Sequence, residues 1–448
     1  MPCLSTDWHP VPNLDHGSPF FYYSVWTTPC TLDFPLCNQR DQVLKITPQT
    51  SAQAMYLREL ADKWLLDLWK PETFEDVTPF KEVHVRIPFS HVKEMKENLL
   101  VHAMPFTIMI SDVQKLIDSS TVTNRNLQKI MLESYDYTQY HPMPEIYHWM
   151  DEVKEKHSDL VSHHYLATTY ENRPIYYFKI GLPSDKLKKV IVVDCGIHAR
   201  EWMAIAFCQW FVKEIIANQK SDNVLSNVLR QVDFYVIPVL NVDGYVYSWT
   251  HERLWRKNRT PHENGTCYGV DLNRNYNARW CSVGASRNCT SNIFCGPSPD
   301  SELETKGLVA LVEQHKLNIL AYLTIHTYGQ YILLPFGYSS DLAYNHDELM
   351  EVANAAAAKI KALYGTEYTV GASSAVLYED SGSSADWAAD LKIRFPYTFE
   401  LRDKGTYGFQ LPPEQIKPTN EETMLGMMSM LEYINEKYLE SKAPLHIG

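Results

Sequence analysis

The chain lacks any long apolar run. No stretch of its 448 residues approaches the roughly 18 to 20 apolar residues needed to cross a bilayer, so no transmembrane segment is expected. Basic charge is in deficit too. The 41 Lys+Arg against 54 Asp+Glu leave a net charge of −13 and a pI near 5.7, which argues against a general nucleic-acid or anionic-membrane surface. No internal repeat or low-complexity tract occurs, and the nine cysteines contain no CxxC pair, which weighs against a structural zinc site built on thiolates. The carboxyl end EKYLESKAPLHIG is too polar for a lipid-anchor tail, and the amino end MPCLSTDWHPVPN lacks the basic start of a signal peptide.

What is present is ordinary for a folded protein: 45% hydrophobic and 21% charged residues, in a length suited to a large domain plus a smaller one. Cys3, Cys30 and Cys37 fall early, and the other six cysteines lie between Cys195 and Cys295. Such a cluster reads as disulfides or as buried thiols. Three N-x-S/T sequons, at Asn258, Asn264 and Asn288, share that region and tilt the balance toward an oxidising, secretory route. The expected location is extracellular, with export from a start site not represented here.

Residues 1–40 have no assignment. Residues 41–118 read as a small α/β unit, with strands in QVLKITP, KEVHVRIP and PFTIMISD and helices in SAQAMYLRELADKWLLDLW and SHVKEMKENLLVH. Residues 119–129 are polar and carry Arg125 and Lys129; they form either an exposed linker or the tail of a helix, open to a trypsin-like protease. From 130 to 440, apolar strands such as KKVIVVDC, VDFYVIPVL, NILAYLTIH and IRFPYTFEL alternate with helices. That alternation predicts an α/β domain with a mixed, mostly parallel sheet covered by helices on both faces. Residues 441–448 form a tail.

In such sheets ligands bind at the carboxyl ends of strands. There the sequence VIVVDCGIHAREW ends an apolar strand on His198 and Glu201, ILAYLTI runs into His326, and FPYTF runs into Glu400. Two imidazoles and a carboxylate suit zinc and leave a coordination position free. The H-x-x-E spacing is weak by itself: HVKE (His91, Glu94) matches it and HWMD (His148, Asp151) nearly does, and both read as solvated helix faces.

Several motifs in order are similar to those of the A/B-type zinc carboxypeptidases, most closely their O-type branch: HAREW, RLWRKNR, GVDLNRNY, IHTYGQ, LYEDSGSSADW and TFELRD. The likeness spans residues 41 to about 440. It implies one zinc per chain, held by His198, Glu201 and His326, with Glu400 as general base toward the attacking water. Arg256 would stabilise the oxyanion, although the residues alone read it as a surface cation. Asn273 and Arg274 would grip the substrate's terminal carboxylate, Tyr378 would close over it, and Arg200 would add positive potential. Residues 41–118 resemble the pro-segment of these enzymes, with its ferredoxin-like fold, and Arg125 is the preferred activation site ahead of Lys129. Familiar O-type members lack a full pro-segment, so here the chain departs from them. The resemblance further implies bridges Cys195–Cys208, Cys267–Cys289 and Cys281–Cys295. Peptide or protein carboxyl termini would be the substrates.

The same resemblance places Ala385, Asp380, Ser373 and Thr398 around the pocket for the terminal side chain. Uncharged Ala385 favours apolar side chains, because burying an unpaired substrate charge is costly. Asp380 would favour basic ones if it points inward, and a solvated loop acid is the reading preferred for it. The acidic preference of the O-type branch depends on an Arg at the position of Ala385 and does not carry over. Two other functions compete, a zinc amidohydrolase acting on acylated amino acids and a non-catalytic metal- or peptide-binding protein.

Overall fold

The computed structural model describes residues 40–121 and 135–439, all within one structural unit. The proposed cleavage sites Arg125 and Lys129, Cys3, Cys30, Cys37 and the tail from 441 lie outside the described residues.

Strands Gln42–Ile46 (β1), Asp67–Lys70 (β2), Val83–Ile87 (β3) and Phe106–Ile110 (β4) pair antiparallel in the order β2-β3-β1-β4. Helices Ser51–Lys63 and Phe89–Val101 make the two crossings, as a ferredoxin-like module requires. Alternate residues of β1 and β3 meet Leu57, Leu60, Met95 and Leu99 in one core. Thr50 caps the first helix by accepting from the Gln53 amide. That helix stops at Lys63, short of the span expected from SAQAMYLRELADKWLLDLW. Past it the chain takes φ +50° at exposed Leu65 and then turns to strand. The residues after Leu65 bury on two sides, which a strand allows: Leu68 joins the module's own core and Trp69 meets Phe409 of the larger domain. A third helix, Val113–Thr121, runs into the stretch that read as linker or helix tail.

The larger domain is built on eight strands: Val161–Thr168 (β5), Pro174–Ile180 (β6), Lys189–Cys195 (β7), Val232–Ile237 (β8), Ile319–Thr327 (β11), Tyr331–Leu334 (β12), Thr369–Ala372 (β13) and Phe395–Leu401 (β14). Pro261–His262 (β9) and Cys267–Tyr268 (β10) form a separate ribbon. The order is β13-β12-β14-β11-β7-β8-β6-β5. Pairs β7–β8, β7–β11, β11–β14 and β12–β13 are parallel, and the remaining three are antiparallel, so the sheet is mixed as expected. Every residue of β11 is buried, which requires cover on both faces of the sheet. The hairpin β5–β6 and the short β12 and β13 escape sequence reading, because they are half-exposed or only four residues long.

Register positions the chemistry. His326 on β11 pairs with Glu400 on β14, and Ile325 pairs with Cys195 at the end of β7. Three disulfides hold the surrounding loops: Cys195–Cys208, Cys267–Cys289 and Cys281–Cys295. The first and third close loops of 13 and 14 residues, each constraining the unfolded chain by about 3 kcal/mol.

Candidate active site

The strand β7 ends at Cys195, and Gly196 turns the chain with φ +68°. A Cβ at Gly196 would lie 2.9 Å from the Ile205 side chain, so only glycine lets the turn pack against the next helix. The turn delivers His198 and Glu201 to the start of helix Trp202–Asn218, whose Cys208 ties back to Cys195. His198 Nδ1 lies 2.7 Å from Glu201 Oε1, and His326 Nδ1 lies 3.0 Å from Glu201 Oε2. The two Nδ1 atoms are 3.2 Å apart, and all three side chains are buried.

The outer contacts decide which ring atoms face inward. His198 Nε2 meets Asp271 Oδ1 at 3.1 Å; with the ring proton donated to that carboxylate, Nδ1 would present a lone pair to a metal ion. His326 Nε2 meets Thr324 Oγ1 at 3.0 Å, and that hydroxyl donates to buried Asp194. Two imidazole nitrogens and a carboxylate oxygen thus converge within 4.8 Å of one another. Without a cation, the inward lone pairs and the carboxylate repel. The donor set fits a zinc ion. A second cluster, Glu263 with Cys267 and Cys289, does not, because its two sulfurs are joined in a disulfide.

Beside this triad lie two buried arginines. Arg256 donates from Nε and Nη2 to Asp271 Oδ2 at 3.0 and 2.8 Å. Its other contacts go to Glu72 of the amino-terminal module: Nη1 to Oε1 at 2.6 Å and Nη2 to Oε2 at 2.9 Å. Arg274 Nη2 reaches the same Oε2 at 2.7 Å. Although burial pushes Glu72 up, Arg256 and Arg274 hold its carboxyl below the usual carboxylate range. Burial likewise opposes the charge of Asp271, and Arg256 with His198 holds it well below that range. The surface reading of Arg256 is therefore corrected. It is 2% exposed, because two remote carboxylates pay for its burial.

Glu400 lines the same cavity as His198, Arg256, Asn273, Arg274 and Tyr378. Arg402, two residues further on, pairs with Glu422. Burial and then the charges of Glu201 and Glu72 push Glu400 well above the usual carboxylate range. Asn273 Oδ1 accepts from the Ser384 amide at 3.0 Å, which fixes its side chain at the cavity wall. Arg200 is set back from that lining: it donates to Asp67 of the amino-terminal module at 3.1 Å and lies 4.1 Å from the Phe409 ring centroid.

Ala385, Asp380, Ser373 and Thr398 all line this cavity. Asp380 is not solvated, contrary to the reading preferred from sequence. It is 6% exposed and its Oδ2 lies 3.1 Å from Arg274 Nη1. A loop residue in YEDSGSS has no periodicity to reveal that it turns inward. Sequence reasoning also missed Glu72, Asp67, Asp271 and Asp386. Of these, Asp271 and Asp386 had a signal, as acids inside GVDLNRNY and LYEDSGSSADW. The sequon at Asn258 is buried, with its amide donating to Glu302 and its oxygen accepting from Val270, while Asn264 and Asn288 are exposed.

Two family models match the chain: zinc carboxypeptidase over residues 146–426 and carboxypeptidase activation peptide over 44–120. Human carboxypeptidase O is 55% identical over 320 residues, covering 71% of this chain and 86% of the relative. Bovine carboxypeptidase B is 38% identical over 396 residues, covering 88% and 94%. The crystal structure of thrombin activatable fibrinolysis inhibitor superposes with a TM-score of 0.84 at 37% identity, over 89% of this chain and all of that one.

Proposed function

The chain belongs to the zinc carboxypeptidase family and carries an activation peptide, and from that footing we propose how its residues divide the work. His198, Glu201 and His326 hold one zinc ion per chain. Zinc supplies Lewis acidity, polarising a carbonyl and making water a better acid at neutral pH. Glu400 takes the proton of the attacking water and returns it to the departing amine, a role supported by its register beside His326 at the strand ends and its place in the cavity wall. Arg256 donates to the oxygen that becomes anionic at the scissile carbonyl. Arg274 and Asn273 receive the substrate's terminal carboxylate, Tyr378 covers it, and Arg200 adds positive potential further out.

A single observation carries this reading: the carboxylate of Glu72 already sits between Arg256 and Arg274, in the cavity that Glu400 and His198 line. A side-chain carboxylate thus stands in for a peptide's carboxyl end. With Glu72 gone, Arg256 keeps Asp271 and Arg274 keeps Asp380, but the buried N–H groups that faced Glu72 lose their acceptor, so a ligand bearing a free terminal carboxylate is selected. That requirement accounts for removal of end residues in place of internal cutting. It also accounts for latency, since Glu72 must leave before substrate enters. Cleavage at Arg125, or at Lys129 in second place, releases it. The three disulfides support an extracellular location.

For the terminal side chain, Ala385 supports an apolar residue and Asp380 a basic one; the choice rests on Asp380. The test is to treat the purified protein with trypsin and supply peptides differing only in their last residue, with and without a zinc chelator. Chelator-sensitive loss of single terminal residues is expected. Activity confined to acylated amino acids supports the amidohydrolase reading, and no activity on either substrate supports a binding protein.

A further inference from the structure

The side-chain pocket holds more negative charge than its walls neutralise. Besides Glu72 and Glu400, two carboxylates line the cavity, Asp380 and Asp386. Asp386 is 2% exposed and accepts only from backbone, from the Gly337 amide at 3.0 and 2.9 Å and the Tyr338 amide at 3.1 Å. Among the described residues no cation pairs with it. Asp380 uses Oδ2 on Arg274 at 3.1 Å, and its Oδ1 has only a long contact, 3.4 Å, from Ser373 Oγ. Gly337 leaves that oxygen its room: a Cβ there would lie 2.3 Å from Oδ1.

A charge count follows substrate entry. Arg256 is matched by Asp271, and Arg274 by the incoming terminal carboxylate in the place of Glu72. Asp380 then shares Arg274 with that carboxylate and turns its Oδ1 to the pocket, while Asp386 has no cation among the described residues. An apolar side chain would seal Asp380 Oδ1 from water without replacing its hydrogen bonds, the costly arrangement for a buried carboxylate. An ammonium or guanidinium group would supply both donors and charge. Acidic side chains are repelled.

We infer that the pocket is built for a basic terminal residue, lysine or arginine, with Asp380 as its counter-ion. This deepens the carboxypeptidase reading and rests on it. The electrostatics agree: burial pushes the Asp380 carboxyl up against the pull of Arg274, and burial together with Asp380 pushes Asp386 well above the usual range. Ala385 then serves as space for the aliphatic stem, which the charged side chains carry behind their heads.

The test compares peptides ending in Lys, Arg, Leu or Glu on trypsin-activated protein. We expect kcat/KM for Lys and Arg to exceed that for Leu by about 100-fold, the scale of an unpaired buried charge. Asp380→Asn keeps the shape and should bring the Lys/Leu ratio down by a similar factor. Because Asp380 also touches Arg274, binding is measured separately: Glu400→Gln protein should bind a Lys-ended product-length peptide more tightly than its Leu counterpart. A wild-type preference for Leu, or a ratio that Asp380→Asn leaves unchanged, overturns the inference while the carboxypeptidase reading stands. Failure to trim any of the peptides sinks that reading, and this inference with it.

Discussion

The spacing His-x-x-Glu occurs twice in this chain with opposite outcomes. On helix Phe89–Val101, His91 stacks on Trp64 with ring centroids 4.8 Å apart, and Glu94 is exposed. After β7, His198 and Glu201 are buried, face each other at 2.7 Å and meet His326 from β11. The first pair lies within a helix, and the second lies in the turn between a strand and a helix. The third group and the second layer differ too: Asp271 fixes one ring of the buried pair, and among the described residues no comparable carboxylate orients His91. A ligand set is therefore a property of converging strands, and spacing alone is only an invitation.

The comparison breaks most sharply at the histidines. His198→Ala should lose both bound zinc and turnover, read by elemental analysis and by peptide trimming, whereas His91→Ala should lose neither. Zinc lost from the His91 variant would reverse the assignment. Next in size, Glu400→Ala should lower kcat by about 1,000-fold or more while zinc content holds. Turnover close to wild type would remove Glu400 from its role.

Glu72→Gln probes the stand-in carboxylate. The neutral amide no longer offsets Arg256 and Arg274, so the uncleaved protein should trim peptides at least about tenfold faster than wild type. Equal latency in both would show that the amino-terminal module blocks by bulk alone. A smaller effect concerns acid. His84 is buried at 0% exposure between Glu82 and the Tyr328 hydroxyl, 2.8 and 2.7 Å away, and burial holds its pKa below the usual histidine value. The docked state thus favours the neutral ring. Its contribution is complete above the free histidine pKa, near ~6.5, and is lost as pH falls below it. Release of the cleaved module, followed by size-exclusion chromatography, should accelerate on acidification and should do so less in His84→Gln.

The smallest expected effect sharpens the comparison from the other side. His91→Ala should shift stability by about 0.5 kcal/mol or less, because it removes only an outer-face stack. Thermal unfolding measures it.

Much of the site was legible for a definite reason. A run such as VIVVDC has the period and composition of a buried strand, and polar residues at its carboxyl end have no place in a core, so His198, Glu201, His326 and Glu400 stand out. Arg256 did not, because RLWRKNR is indistinguishable from a solvated basic run until Asp271 and Glu72 are seen to enclose it. The strand β2 was read as helix for a related reason: Leu68 and Trp69 continue a plausible helical stripe, and only the presence of Phe409 on the far side makes a strand the better burial.

By itself, then, the amino-acid sequence determined the long buried strands β7, β8, β11 and β14, and that polar side chains suited to a metal lie at their carboxyl ends, since periodicity is a local property. Tertiary structure alone decided that Glu72 reaches across 184 positions to Arg256 and that Asp380 turns into the pocket. Those choices balance buried charge among groups far apart in the chain, and Coulomb energy depends on distance in space, which no local pattern records.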